Sequence, residues 1–179
     1  ALDEAALSGP IAVGGVSIGA VVAARWALAN PERVVAVLAV LPPWTGAPAT
    51  APAALSARHT AAQLRRDGLG AATDAMRSSS PPWLAEELTR SWSRQWPALP
   101  DAMDEAAAYP GPSTAELNRL AAPLGVVAAS DDPIHPLEVA REWVSAAPRA
   151  ALSTVRLEQF GPNPSVLGAA GLAALADID

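Results

Sequence analysis

Apolar residues along this chain fall into short unbroken runs punctuated by proline and glycine, the texture of strands buried on both faces with helices laid against them. The first run, Ile11 to Val16, is bounded by Gly9-Pro10 and Ser17 and has the length of a strand. Apolar residues then occupy all sides of Ile18 to Leu28 until Asn30-Pro31 stops the pattern, which predicts a buried helix leaving the strand at once. A second, Val-rich run from Val34 to Leu41 closes on Pro42-Pro43, and right-handed crossover geometry makes it a parallel neighbour of the first. A βαβ unit is therefore complete by residue 41. Ahead of it, residues 1–7 carry apolar positions at helical spacing and meet Ser8-Gly9-Pro10, the mark of a helix tail.

The texture changes between Pro42 and about Pro123, where Pro, Ser and Thr are common, helical patches are short (53–66, 68–77, 83–95 and 99–108) and no strand candidate occurs. This stretch, 42–123, predicts a helical insert between two parts of a core, 1–41 and 124–179. Four of the six tryptophans lie in it, Trp44, Trp83, Trp92 and Trp96, and the i, i+4 spacing of Trp92 and Trp96 would put both on one helix face. Packing is the better reading of that stripe than an aromatic ligand wall, since most such stripes are core. Regular alternation then resumes: Leu124 to Ala129 as a strand, the polar loop Ser130-Asp131-Asp132-Pro133, an amphipathic helix from Pro136 to Ala147, a strand from Ala151 to Leu157, and a last helix over Ser165 to Leu175. The order β-α-β-insert-β-α-β-α gives an α/β fold with four strands in a mostly parallel sheet and flanking helices.

Composition narrows the function classes. A net charge of −6, with all twelve basic residues Arg, argues against nucleic acid as a partner, because phosphate-backbone binding draws on clustered cations. No apolar run reaches the 18 to 20 residues of a membrane span, and no basic segment followed by an apolar core marks a leader, so a soluble, cytoplasmic protein is expected. The absence of cysteine removes disulfides and thiolate metal sites. Asp131 and Asp132 have one neighbouring histidine and no third ligand at useful spacing, and Gly14-Gly15 and Gly19 lack the G-x-G-x-x-G spacing of a dinucleotide site; no metal and no cofactor are expected.

The candidate chemistry begins at Gly15-Val16-Ser17-Ile18-Gly19, a G-x-S-x-G sequence lying between the predicted strand and helix, the context that pattern requires. A serine held at a sharp strand-to-helix turn needs glycine on either side to let strand and helix approach, and its hydroxyl is then exposed above the sheet. The N–H of Ile18, at the helix start, would be one donor to an oxyanion. The plainer alternative is a Gly-rich packing turn.

With these residues the chain resembles the α/β-hydrolase superfamily over nearly its whole length. The stretch IAVGGVSIGAVVAARWALANPERVVAVLAV is similar to the family's nucleophile strand, nucleophile helix and following strand, including the Asn30-Pro31-Glu32-Arg33 that ends the helix. The insert sits where family members place a helical cap over the active site. LGVVAASDDPIHP resembles the strand and loop carrying the family's acid, which falls on Asp132, with Asp131 as second choice. The family's histidine follows the last strand; the corresponding stretch here is Gln159-Phe160-Gly161-Pro162-Asn163, with Pro162 in the histidine's place, so the expected triad is incomplete. Two histidines are left: His59, in the insert, reads as a solvated or packing residue, and His135, three residues after Asp132, as a loop cap or a substitute base. The resemblance also implies several strands ahead of the nucleophile strand and a loop giving a second oxyanion donor. The chain starts one helix before that strand, which predicts missing N-terminal strands and a second copy or partner chain along Ile11 to Val16. Two functions follow: a serine hydrolase using Ser17, Asp132 and His135 on a small apolar ester, lactone or related acyl substrate, or a non-catalytic binding protein on the same scaffold.

Overall fold

The computed structural model describes residues 2–6, 9–161 and 163–178. Its elements are α1 (Leu2–Ala5), β1 (Ile11–Val16), α2 (Ile18–Ala29), β2 (Val34–Val40), α3 (Pro52–Ser79), α4 (Pro82–Gln95), α5 (Leu99–Ala108), α6 (Thr114–Leu117), β3 (Leu124–Ala129), α7 (Leu137–Ala146), β4 (Ala150–Val155), α8 (Leu157–Phe160) and α9 (Ser165–Ala176). The chain forms two compact units. One runs through Pro48 and resumes at Pro110; the other is Ala49–Tyr109.

In the first unit the strands lie in the order β1-β2-β3-β4. Every pairing is parallel, with Val16 opposite Val40, Val40 opposite Val127, and Val127 opposite Ser153. The interior position of β3 explains its composition: Leu124–Ala129 is buried at all six residues, so nothing polar is tolerated. β1 has a neighbour on one side only among the described residues, and its exposure alternates, leaving Val16 51% exposed. Helix α2 lies along β1 and β2, α7 along β3 and β4, and α9 along β3, β4 and β2. The last of these contacts is close because it is made on glycine: a Cβ on Gly125 would stand 2.8 Å from the carbonyl oxygen of Gly171 in α9. Trp143 of α7 is fully buried and donates its indole N–H to the Trp44 carbonyl at 3.2 Å, which settles the one polar atom that its large ring takes into the core.

Helix starts and stops differ from the sequence reading in informative ways. Leu157, predicted as the end of a strand, instead opens α8, because Gln159 Oε1 accepts from Arg156 N at 2.7 Å and Asp131 Oδ1 accepts from Leu157 N at 2.9 Å. Ser113 and Glu116 form a capping box that starts α6, beyond the helical patches expected of the insert.

The second unit is helical. The two predicted patches 53–66 and 68–77 form two helices within α3, broken at Gly68, whose φ 79 and ψ 170 are not helical. Trp92 is buried with Leu64, Ala72 and Leu99. Trp96 does not share its face. It stands just past α4 with extended backbone (ψ 139) and is 39% exposed, since the following Pro97 disfavours a helical conformation for the residue before it. Arg58 donates to the carbonyls of Ala49 (2.7 Å) and Ala107 (3.0 Å), clasping the two ends of this unit. Among the described residues no helix is long and apolar enough to cross a membrane.

Candidate active site

Ser17 stands between the last residue of β1 and the first of α2 with φ 54 and ψ −121, a conformation that non-glycine residues rarely adopt. The turn is held on both sides: Ser17 N–H donates to the Val40 carbonyl at 2.9 Å, and the Ser17 carbonyl accepts from Ala20 N at 2.9 Å. Gly15 is required by sterics, because a Cβ there would fall 2.7 Å from Gly19 Cα and overlap the Gly19 carbonyl. Gly19 is not required in the same way. A Cβ at Gly19 would meet nothing within 4 Å, so the expected collision exists on one side of the serine only. Ile18 begins α2, and N–H groups in a helix's first turn have no intrahelical acceptor.

The partners of Ser17 come from the loop after β3. Asp132 Oδ1 accepts from the N–H groups of Ile134 (2.8 Å) and His135 (3.3 Å), which curls the loop around the carboxylate. Asp132 Oδ2 lies 2.8 Å from His135 Nδ1, and His135 Nε2 lies 2.9 Å from Ser17 Oγ. An ionised carboxylate can only accept, so Nδ1 donates to it, and in the neutral imidazole Nε2 then accepts from the serine hydroxyl. Burial pushes the Asp132 carboxyl up, but the hydrogen bond and charge of His135 and the two loop N–H groups more than offset this and hold it below the ordinary carboxylate range. The side chains of Asp132 and His135 are 9% and 15% exposed, so solvent screens their pairing little.

The remaining sequence candidates fall elsewhere. Asp131, the second choice for the acid, points to α8 and accepts from Leu157 N rather than meeting a histidine. His59 is an exposed residue of α3. Pro162, in the place of the family histidine, lies outside the described residues. The ring that reaches the serine is His135, so Ser17, His135 and Asp132 form one continuous hydrogen-bonded chain. The sequence signal for this was the Asp-x-x-His spacing, which allows a carboxylate to pair with the ring and bind the intervening amides at once. Among the described residues no cluster of three His, Cys, Asp or Glu side chains could hold a metal ion.

No family model matches the chain, and no curated protein does. Solved structures do. The chain is similar to MGS-M2, an alpha/beta hydrolase enzyme from a Medee basin deep-sea metagenome library, at 14% identity and a TM-score of 0.68, over 96% of this chain and 66% of that one. The chain has the α/β-hydrolase fold. The same hydrolase fold is shared with a thermophilic esterase from Thermogutta terrifontis, 20% identical with a TM-score of 0.65, over 93% of this chain and 65% of the other. An N-acyl homoserine lactone degrading enzyme is 18% identical with a TM-score of 0.66, over 93% of this chain and 68% of its own. The chain thus spans about two thirds of the length of these hydrolase-fold structures.

Proposed function

We propose that the protein is a serine hydrolase in which Ser17 is the nucleophile, His135 the general base and Asp132 the group that orients and charges the imidazole. The observation that carries this is the unbroken chain of short contacts, Ser17 Oγ to His135 Nε2 at 2.9 Å and His135 Nδ1 to Asp132 Oδ2 at 2.8 Å. As Ser17 Oγ attacks an acyl carbon, its proton passes to Nε2 and the imidazolium is stabilised by the Asp132 carboxylate. The carbonyl oxygen gains charge beside the Ile18 N–H. Collapse of the tetrahedral species expels the alcohol, which takes the proton from Nε2 and leaves an acyl-serine. Water attacks this ester and gives its proton to the same nitrogen; as the acid departs, Nε2 returns that proton to Ser17 Oγ, restoring the serine.

Small esters, lactones or related acyl compounds are the substrate class we propose, in keeping with the esterase and the lactone degrading enzyme that share the fold. The alternative, a ligand-binding scaffold without turnover, was motivated in part by Pro162; the 2.9 Å contact between His135 and Ser17 supports the hydrolase reading over it. The test is labelling by a fluorophosphonate probe. The protein should label, and both Ser17→Ala and His135→Ala should not; a folded protein that stays unlabelled sinks the proposal.

A further inference from the structure

The three bonds that make the acid and base a unit, from Ile134 N, His135 N and His135 Nδ1 to Asp132, all lie within residues 132–135. They stiffen this segment without fixing where it sits. Its attachment to the sheet comes from the two residues just before it. Ser130 N donates to the Val155 carbonyl at 2.9 Å, with Ser130 Oγ 3.4 Å from the same oxygen. Asp131 Oδ1 then accepts from Leu157 N at 2.9 Å, 26 residues along the chain at the start of α8. Ion pairing adds little: Arg156 Nε is 3.8 Å from Asp131 Oδ2 but 3.1 Å from Glu158, and all three groups are open to solvent.

We infer that Asp131 is a positioning residue, the peg that fixes the acid–base segment against the end of β4 so that His135 meets Ser17. This rests on the hydrolase reading above. Asp131 touches no reacting atom. Its loss shifts Asp132 and His135 together, so their mutual pairing survives while the contact with Ser17 lengthens, and displacements of about 1 Å cost on the order of a hundredfold in such sites.

The bond can be cut from either end. Asp131→Ala removes the acceptor. Leu157→Pro removes the donor at the first position of a helix, where proline is tolerated and where the extended Arg156 (φ −112, ψ 151) already suits a following proline. Asp131→Asn keeps the accepting oxygen and drops the charge. The readouts are the rate of fluorophosphonate labelling of Ser17 and the downfield proton resonance of the His135 Nδ1–H that pairs with Asp132. Labelling should slow about tenfold or more in Asp131→Ala and in Leu157→Pro, with no further loss in the double variant, and should return to within about threefold of the parent in Asp131→Asn. The downfield resonance should persist in all of them. Labelling of Asp131→Ala at the parent rate overturns the inference, as does an Asp131→Asn variant as slow as Asp131→Ala, or loss of the resonance in a folded Asp131→Ala. A parent protein that does not label overturns the hydrolase reading and this inference with it.

Discussion

Replacing Ser17 by glycine should leave the protein more stable than replacing it by alanine, the reverse of the usual order. Both substitutions delete the hydroxyl and its 2.9 Å contact with His135 Nε2, so that loss cancels between them. What differs is the backbone. Ser17 sits at φ 54, ψ −121, and alanine must hold the same strained geometry whereas glycine holds it freely. Strain of this kind costs about 1–3 kcal/mol. Against it stands the greater freedom of glycine in the unfolded chain, about 0.4–1 kcal/mol in favour of alanine. The net advantage of glycine is on the order of 1 kcal/mol, or roughly 2–4 °C in Tm for a chain of this size. Denaturant titration of the two variants, with equal slopes required, measures the difference directly. An alanine variant as stable as the glycine variant, or more so, would refute the claim that the nucleophile turn stores strain.

Other consequences are open to simpler tests. His135→Ala should lower kcat/KM on an activated ester by at least about 10³-fold with an unchanged circular dichroism spectrum, since the serine then has no proton acceptor. Gly15→Ala should destabilise by about 1–3 kcal/mol, its methyl being driven into the Gly19 backbone, while Gly19→Ala should fold with little loss; equal effects by thermal melting would contradict the one-sided packing described here. The lowered carboxyl of Asp132 means that the unfolded chain takes up its proton at a higher pH than the folded one. Its contribution to stability is therefore whole above the ordinary carboxylate pKa and is lost as pH falls through the depressed folded value; denaturation midpoints between about pH 5 and pH 2 should fall less steeply in Asp132→Asn.

The parts of the fold legible in the sequence are those governed by neighbours along the chain. The β1, α2 and β2 segments announce themselves because their apolar runs have strand or helix length and Pro or Gly marks their ends, although β1, unlike β3, is not buried on both faces. Misplaced boundaries trace to partners beyond any local window: α8 begins at Leu157 because Asp131, far back in the chain, takes its N–H. The same division holds at the site. Ser17 is a local feature, a strand meeting a helix, and the pairing of Asp132 with His135 is implicit in a three-residue spacing. That the ring then points at a serine 118 residues away depends on strand order, which periodicity does not encode. The steric need for Gly15 but not Gly19 is likewise visible only once strand and helix are laid side by side.

The strand between the two halves of the site sets their separation. The amide of Ser17 hangs on the carbonyl of Val40, and the next residue, Leu41, itself at φ 50, gives its N–H to the carbonyl of Val127 at 2.7 Å. β2 thus works as a gauge block: Ser17 on one side, the Asp132–His135 segment on the other, each referenced to its last residues. A slip of one residue in either register would displace the two by about 3.3 Å along the strands, far outside the reach of a hydrogen bond. On the hydrolase reading, substitutions in β2 would therefore separate Ser17 from His135 in a protein that still folds, and probe labelling of Ser17 would report how that strand is seated.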